Sequence, residues 1–384
     1  MSKKNAEQQR LGNQHKGIES WRLWGPYLSE RAWGSVREDY SPDGTAWEYF
    51  PHDQARSRAY RWNEDGLGSI CDEQQFLCFA LSLWNGNDPI LKERAFGLTG
   101  NQGHHGEDVK EYYFYQDATP SHSYLQYLYK YPQAKYPYTR LVEENTRRGP
   151  DQPPFSLLGT GVFADNRYWD VQVEYAKAET DNIHIRITAF NRGSEEATLH
   201  LLPTIWFRNT WSWDKGVTDK PGLALDSQAG KGWSVKASRQ ELGEYHLYGS
   251  QAAELLFTEN ESNCQRLWGC TNATPYVKDS FHRYVIDSRS DAVNPAHQGT
   301  KCAAWYKLTV PAGGAKTIDL VLTARPSDHP FACSDELFAQ RWAEADIFYN
   351  NPLPKADADD QRLFRQAMAG MIWSKRRTAF LRIC

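Results

Sequence analysis

Three Glu-Asp dipeptides, Glu38-Asp39, Glu64-Asp65 and Glu107-Asp108, stand in polar, aromatic stretches of this 384-residue chain. Paired carboxyls are what cleavage of a glycosidic bond needs. One acid protonates the leaving oxygen, and one carboxylate, about 6.5–9.5 Å away in the inverting geometry, activates water. Each dipeptide also lies among basic residues such as Arg37, Arg56, Arg58, Arg61 and Lys110, so the same carboxylates can equally hold loops in place as ion pairs. His52-Asp53 offers a proton relay or, alternatively, a capped turn. Around them, the segment from Trp21 to Trp62 interleaves tryptophans, tyrosines and arginines with acidic side chains and has almost no aliphatic periodicity. Such a surface suits a sugar ring, whose C–H faces stack on indoles while its hydroxyls take charged hydrogen bonds. The candidate substrate-binding residues are therefore Arg37, Glu38, Asp39, Trp47, His52, Asp53, Arg56, Arg58, Trp62, Glu64 and Asp65. An aromatic core whose charges pair with one another is the alternative for the same residues.

Other chemistries find little support. His104 and His105 lie in a glycine loop with no third ligand at a useful spacing, and the seven cysteines include no Cys-x-x-Cys pair, so neither a metal nor a cofactor is expected. The Gly100–Gly103 stretch lacks the Lys-Ser or Lys-Thr of a phosphate loop, and there is no Gly-x-Ser-x-Gly elbow. A net charge of −4 argues against nucleic acid as the main partner, because phosphate binding needs a basic surface. No apolar run reaches about eighteen residues, and the first twenty residues carry no apolar signal core, so a cytoplasmic protein with reduced thiols and no membrane partner is expected.

Period-two alternation dominates the centre of the chain. Trp169, Val171, Val173 and Tyr175 alternate with polar residues, as do Ile183, Ile185 and Ile187, and Asn191-Arg192-Gly193 turns the chain into Ala197, Leu199 and Leu201. The 183–207 stretch reads as a meander with His184, Arg186 and Thr188 facing outward. Further strands are expected at 233–235, 245–248, 254–257, 304–310 and 317–323, which together imply a large antiparallel sandwich. Helices are expected from Asp72 through Leu83, with Cys71 and Cys78 on one face, and from Ile90 to Phe96. Two more start at Ser334 and at Asp357, separated by the Asn350–Pro354 linker. The last carries Leu363, Phe364, Ala367, Met368, Met371 and Ile372 on a face with no evident partner. Trp206, Trp211 and Trp213 read as sandwich core or as a wall turned toward a further domain.

Trp24-Gly25-Pro26-Tyr27 followed by Trp33-Gly34-Ser35-Val36-Arg37 resembles the opening element of processing α-glucosidases in family 63 of the glycoside hydrolases. Further runs are similar to a bacterial and fungal branch of glucosidase-like proteins related to that family. They are Val36–Ser41, Tyr49–Asp53, Ala55–Trp62, Lys92-Glu93-Arg94, Gly106–Tyr113 and Leu201–Trp211, so the resemblance spans nearly the whole chain. It implies a mainly β fold: a large antiparallel super-β-sandwich N-terminal domain with helical insertions, followed by the truncated start of an (α/α)6 barrel. It also implies an inverting, α-glucosidase-like O-glycoside hydrolase acting on oligosaccharides, with its catalytic acid and base in the barrel. The expected organisation is a mobile polar tail at 1–20, the sandwich at 21–350, and a linker with the first barrel helix at 351–384. On that reading no catalytic residue is expected in this chain, and the missing barrel is its partner. The alternative is a noncatalytic carbohydrate-binding or interaction module.

Overall fold

The computed structural model of the chain describes residues 4–26, 52–59, 65–95, 111–148, 151–212, 220–230, 232–350 and 357–374. Among these, the first strands are β1 (Trp24–Pro26), β2 (Leu67–Asp72), β3 (Leu77–Trp84), β4 (Tyr113–Ala118), β5 (Tyr124–Pro132), β6 (Tyr168–Glu179), β7 (Asn182–Asn191) and β8 (Ala197–Phe207). They are followed by β9 (Gly222–Ala229), β10 (Gly232–Arg239), β11 (Gly243–Gly249), β12 (Glu254–Thr258), β13 (Gln298–Gly299), β14 (Lys301–Val310) and β15 (Ala315–Thr323). The helices are α1 (Ala6–His15), α2 (His52–Ala55), α3 (Tyr138–Arg147), α4 (Cys264–Trp268), α5 (Ser280–Val285), α6 (Ser334–Asn350) and α7 (Ala358–Trp373).

All strand pairings are antiparallel and form two sheets, one of order β1-β2-β3-β8-β14-β12 and one of order β13-β9-β10-β11-β15-β7-β6-β5-β4. The architecture is the mainly β sandwich that the alternation implies. One hydrophobic core joins the sheets, with Val171, Val173, Ile183, Ile185, Ile187 and Leu320 from the larger sheet and Ile70, Phe79, Leu81, Leu199, Leu201 and Ile205 from the smaller. The burial expected at Ile183, Ile185, Ile187, Leu199 and Leu201 is found at each position. The meander is not. β7 pairs with β6 and β15 in the larger sheet, whereas β8 pairs with β3 and β14 in the smaller, so the chain crosses between sheets at Asn191-Arg192-Gly193. Arg186 and Thr188 are half-buried on the far face of β7, and His184 is buried there because α6 covers it, Ser334 Oγ lying 2.8 Å from His184 Nδ1.

Three local expectations are corrected. The stretch after Asp72 is a β2–β3 hairpin, not a helix: Asp72 accepts hydrogen bonds from Gln74 N at 2.8 Å and Leu77 N at 2.6 Å, and Gln75 takes the positive φ of 59° that closes the turn. Cys71 and Cys78 are therefore cross-strand partners. Residues 90–95 are extended, with Leu83 and Lys92 exchanging backbone hydrogen bonds. At the N-terminus, 6–15 is a helix with a capping box between Asn5 and Gln8, docked by charge and not by an apolar stripe. Glu7 is fully buried and accepts from Ser121 N, Ser121 Oγ and Ser123 Oγ at 2.6, 2.7 and 3.1 Å.

The last helix begins as expected, with Asp357 capping the amides of Asp359 and Asp360. Its partner is the sandwich. Trp373 is buried, stacks on Tyr115 of β4 at 5.1 Å and 11°, and donates to Asp117 O at 3.2 Å, while Arg365 Nε donates to Asp117 Oδ2 at 2.8 Å. Phe364, Met368 and Ile372 are half-buried, so of the expected stripe Leu363, Ala367 and Met371 are exposed.

Candidate functional site

The outer face of the six-stranded sheet carries α5, the 52–59 segment and the 88–95 segment, with α4 bonded to 52–59 through Arg266. Leu202, Leu256 and Ala303 pack there against Leu91, Phe281 and Val285. Beside that apolar patch lies a buried cluster of charges. Asp65 enters it from the residue before Gly66, whose φ of +87° and lack of a side chain let the backbone lie against Ala80; a Cβ there would sit 2.1 Å from the Ala80 Cβ. Lys278 Nζ and Arg94 Nη2 both approach Asp65 carboxylate oxygens at 2.7 Å. Glu93 faces Lys301 Nζ at 3.3 Å, Arg94 Nη2 at 3.6 Å and His282 Nε2 at 3.8 Å.

The cations of this cluster also bind backbone. Arg94 Nη2 donates to Ala55 O at 2.9 Å, and Lys278 Nζ donates to Ala55 O at 3.1 Å and Arg58 O at 2.8 Å. A second tier continues outward. Asp279 accepts from Ser57 Oγ at 2.6 Å and from Asn263 Nδ2 at 3.1 Å, and Ser262 Oγ accepts from Ala59 N at 2.9 Å. At the rim, Asp53 takes Arg266 Nη2 at 2.6 Å and Arg56 Nη2 at 3.1 Å, and the Arg58 guanidinium lies 5.9 Å from the ring centre of the exposed Trp268.

Of the sequence candidates, the structure thus brings Asp53, Arg56, Arg58 and Asp65 into one network. Arg37, Glu38, Asp39, Trp47, Trp62 and Glu64 lie outside the described residues, as do Glu107, Asp108, His104, His105 and Trp213; His52 begins α2 and its side chain is likewise outside them. Trp206 is buried against Cys71, Cys78 and Ala80 on the outer face of the smaller sheet, not in the core between the sheets, which takes its neighbours Ile205 and Phe207. Glu93, Arg94, Lys278, Asp279, His282 and Lys301 were not singled out as site residues. Glu93 and Arg94 carry a sequence signal in the Lys92-Glu93-Arg94 run, and Lys301 stands out as a charge ahead of the apolar Cys302-Ala303-Ala304.

The electrostatics define what this cluster can do. Burial alone would push the Asp65 carboxyl up, but Lys278, Arg94 and Lys301 outweigh it and hold the group well below the usual carboxylate range. Burial likewise opposes ionisation of Glu93, and Lys301 and Arg94 again leave the carboxyl lowered. Burial takes His282 down to about 4, so it is neutral at pH 7. Lys278 falls to about 8, because burial and the nearby Arg94 and Lys301 charges outweigh the pull of Asp65. A general acid needs a carboxyl whose proton is retained near neutral pH. Asp65 and Glu93 are the opposite, and the gap between Asp65, Glu93, Trp206 and Lys301 has no room for a water molecule. The cluster is a charged lock that fixes the 52–59 segment and the start of β2 onto the sheet. A second lock stands nearby, where Lys92 donates to Glu111 at 2.8 Å and to Tyr138 OH at 2.6 Å, and Tyr129 OH also donates to Glu111.

Among the described residues there is no group of three or more His, Cys, Asp or Glu placed to hold a metal ion, and no helix is long and apolar enough to cross a membrane. No family model matches the chain. The uncharacterized protein YMR196W of Saccharomyces cerevisiae is 39% identical over 414 aligned residues, which cover 96% of this chain and 38% of that protein. The chain therefore spans well under half the length of this relative. Among solved structures, a polysaccharide lyase matches with a TM-score of 0.30 and 10% identity, covering 70% of this chain and 28% of the lyase. A family GH92 α-mannosidase from Bacteroides thetaiotaomicron matches with a TM-score of 0.28 and 10% identity, covering 82% of this chain and 36% of the mannosidase.

Proposed function

We propose that the chain forms the N-terminal β-sandwich portion of an α-glucosidase-like, inverting O-glycoside hydrolase of oligosaccharides, whose catalytic acid and base lie in a barrel beyond it. The observation that supports this reading most directly is a convergence. Three runs that carry the family resemblance, Ala55–Trp62, Lys92-Glu93-Arg94 and Leu201–Trp211, are far apart in sequence. They meet at one place: Arg94 holds Ala55 O, and Asp65, Glu93 and Trp206 line the same gap. In this reading the lock holds the 52–59 segment on the sheet, and Arg37, Glu38, Asp39, Trp47 and Trp62 are the residues that would bind substrate hydroxyls. α7 then leads into that barrel.

Hydrolysis of aryl α-glucosides and short α-linked oligosaccharides, measured for this chain and for the full-length yeast relative side by side, tests the reading. Turnover by the long protein and none by this chain is expected. Turnover by this chain alone would place the acid and base within it, and turnover by neither on any α-glucoside would favour a module that binds without hydrolysis.

A further inference from the structure

A groove separate from the charged cluster runs between α6 and α7 over β4 and β5, with a volume of about 370 Å³. We propose that this groove binds a neutral oligosaccharide, with Trp342 as its stacking platform. α6 buries Leu337, Phe338, Ala345 and Tyr349 against the sheet, yet Trp342 on the same helix is 54% exposed and lines the groove. An indole left half exposed in the lining of a cleft offers an apolar face on which a sugar ring can stack. Trp342, Asp346 and Tyr349 fall at i, i+4 and i+7, so they form one stripe along the groove wall.

The remaining lining selects the ligand's chemistry. Gln116 of β4, Gln126 of β5 and Gln366 of α7 present primary amides, each able both to donate and to accept, which is what a polyhydroxylated ligand requires. The Gln116 Oε1 atom is buried and accepts no hydrogen bond from the protein. Buried acceptors are rarely left so, and a ligand hydroxyl would satisfy it. The formal charges of the lining cancel: Arg365 is held between Asp117 and Asp346, and Arg362, the other guanidinium of the groove, pairs with Asp359. A platform, several amides and neutralised charge together describe a site for an uncharged sugar. The volume lies at the small end of the range of ligand pockets, roughly 300–1,000 Å³, which suits a short saccharide more than a polymer chain.

This inference does not rest on the glycosidase reading, because it concerns binding at a different face and requires no turnover. Its test is titration of the full chain with maltotriose, cellotriose, mannotriose and galactobiose, read by tryptophan fluorescence and by calorimetry. At least one should bind with a millimolar or tighter dissociation constant. Trp342→Ala should weaken that binding by about tenfold or more, since loss of a stacking face removes on the order of 1.4 kcal/mol. Gln116→Leu should weaken it as well. Trp268→Ala, which removes another exposed indole on α4, should leave it unchanged. Trp342 is exposed, so its truncation leaves the fold intact, and an unaltered urea midpoint confirms this. Absence of binding by all four sugars, or equal binding by the wild type and Trp342→Ala, overturns the proposal. So does equal weakening by Trp268→Ala.

Discussion

Asp65→Asn isolates what the buried lock contributes. Two cations, Lys278 and Arg94, stand 2.7 Å from the Asp65 carboxylate, and Lys301, 3.3 Å from Glu93, adds a third positive charge to the cluster. Removing the negative charge leaves this excess in a dry site, and breaking a buried pair on one side typically costs about 3–5 kcal/mol. The loss depends on pH. The Lys278 ammonium sits at about 8 in the folded protein against an ordinary 10.5, so the unfolded chain binds the extra proton between those values and wild-type stability rises with pH across that window, by about 3 kcal/mol in all. Asp65 works in the other direction: its lowered carboxyl contributes stability that is present above its ordinary 3.8 and is lost only as pH falls through the folded value, so it is ionised throughout the neutral range. At pH 6, therefore, Asp65→Asn loses both pairs, whereas at pH 9 Lys278 is largely neutral in wild type and variant alike, and only the Arg94 pair is lost. Urea unfolding followed by tryptophan fluorescence should show the full loss at pH 6 and a clearly smaller one at pH 9, with an unchanged slope against denaturant. Asp53→Asn, at the solvent-facing rim, should lose less than about 1 kcal/mol at either pH. A loss below about 1 kcal/mol for Asp65→Asn at pH 6, or an equal loss at both pH values, would refute the reasoning.

Gly66→Ala should destabilise by roughly 3 kcal/mol, combining a left-handed backbone with a Cβ placed 2.1 Å from that of Ala80, and a urea midpoint close to wild type would contradict it. Trp373→Ala removes the buried ring that stacks on Tyr115 and should release α7, at about 3–5 kcal/mol of local stability; limited proteolysis with mass detection should then yield a fragment lacking 357–384 that the wild type resists. His184, His200 and His282 are each pushed by burial down to about 4 from an ordinary 6.5. The unfolded chain takes up these protons first, so stability should fall as pH drops from 6.5 toward 4. His200→Gln should make that fall shallower by up to one proton in urea midpoints measured at pH 6.5, 5.5 and 4.5.

The strands of 168–191 and 304–323 were legible because one face of each meets the core and the other is largely half-buried or exposed, which imposes period two on the residues. β3 was not, for the opposite reason: Leu77 to Leu83 is buried on both faces, by the sandwich core on one side and the lock on the other, and a continuous apolar run carries no period that separates strand from helix. Docking of α1 through Glu7 and Arg10 was hidden because charged side chains on a short helix look like a solvated face. The same blindness applies to the site. Arg56, Arg58, Asp53 and Asp65 stood out through local density of charge, whereas Glu93, Lys278 and Lys301 come from three short stretches up to about two hundred residues apart. Only sheet order unites them, because β14 lies beside β8 and β8 beside β3, which brings Lys301 opposite Trp206 and sets Glu93 next to both. Burial of a complete set of opposite charges has a physical consequence that apolar packing lacks. Apolar contacts tolerate a slipped register, but a slipped or half-formed ion cluster leaves an unpaired charge in a dry site, at a penalty of several kcal/mol. The lock therefore fixes one placement of the 52–59 segment on the sheet.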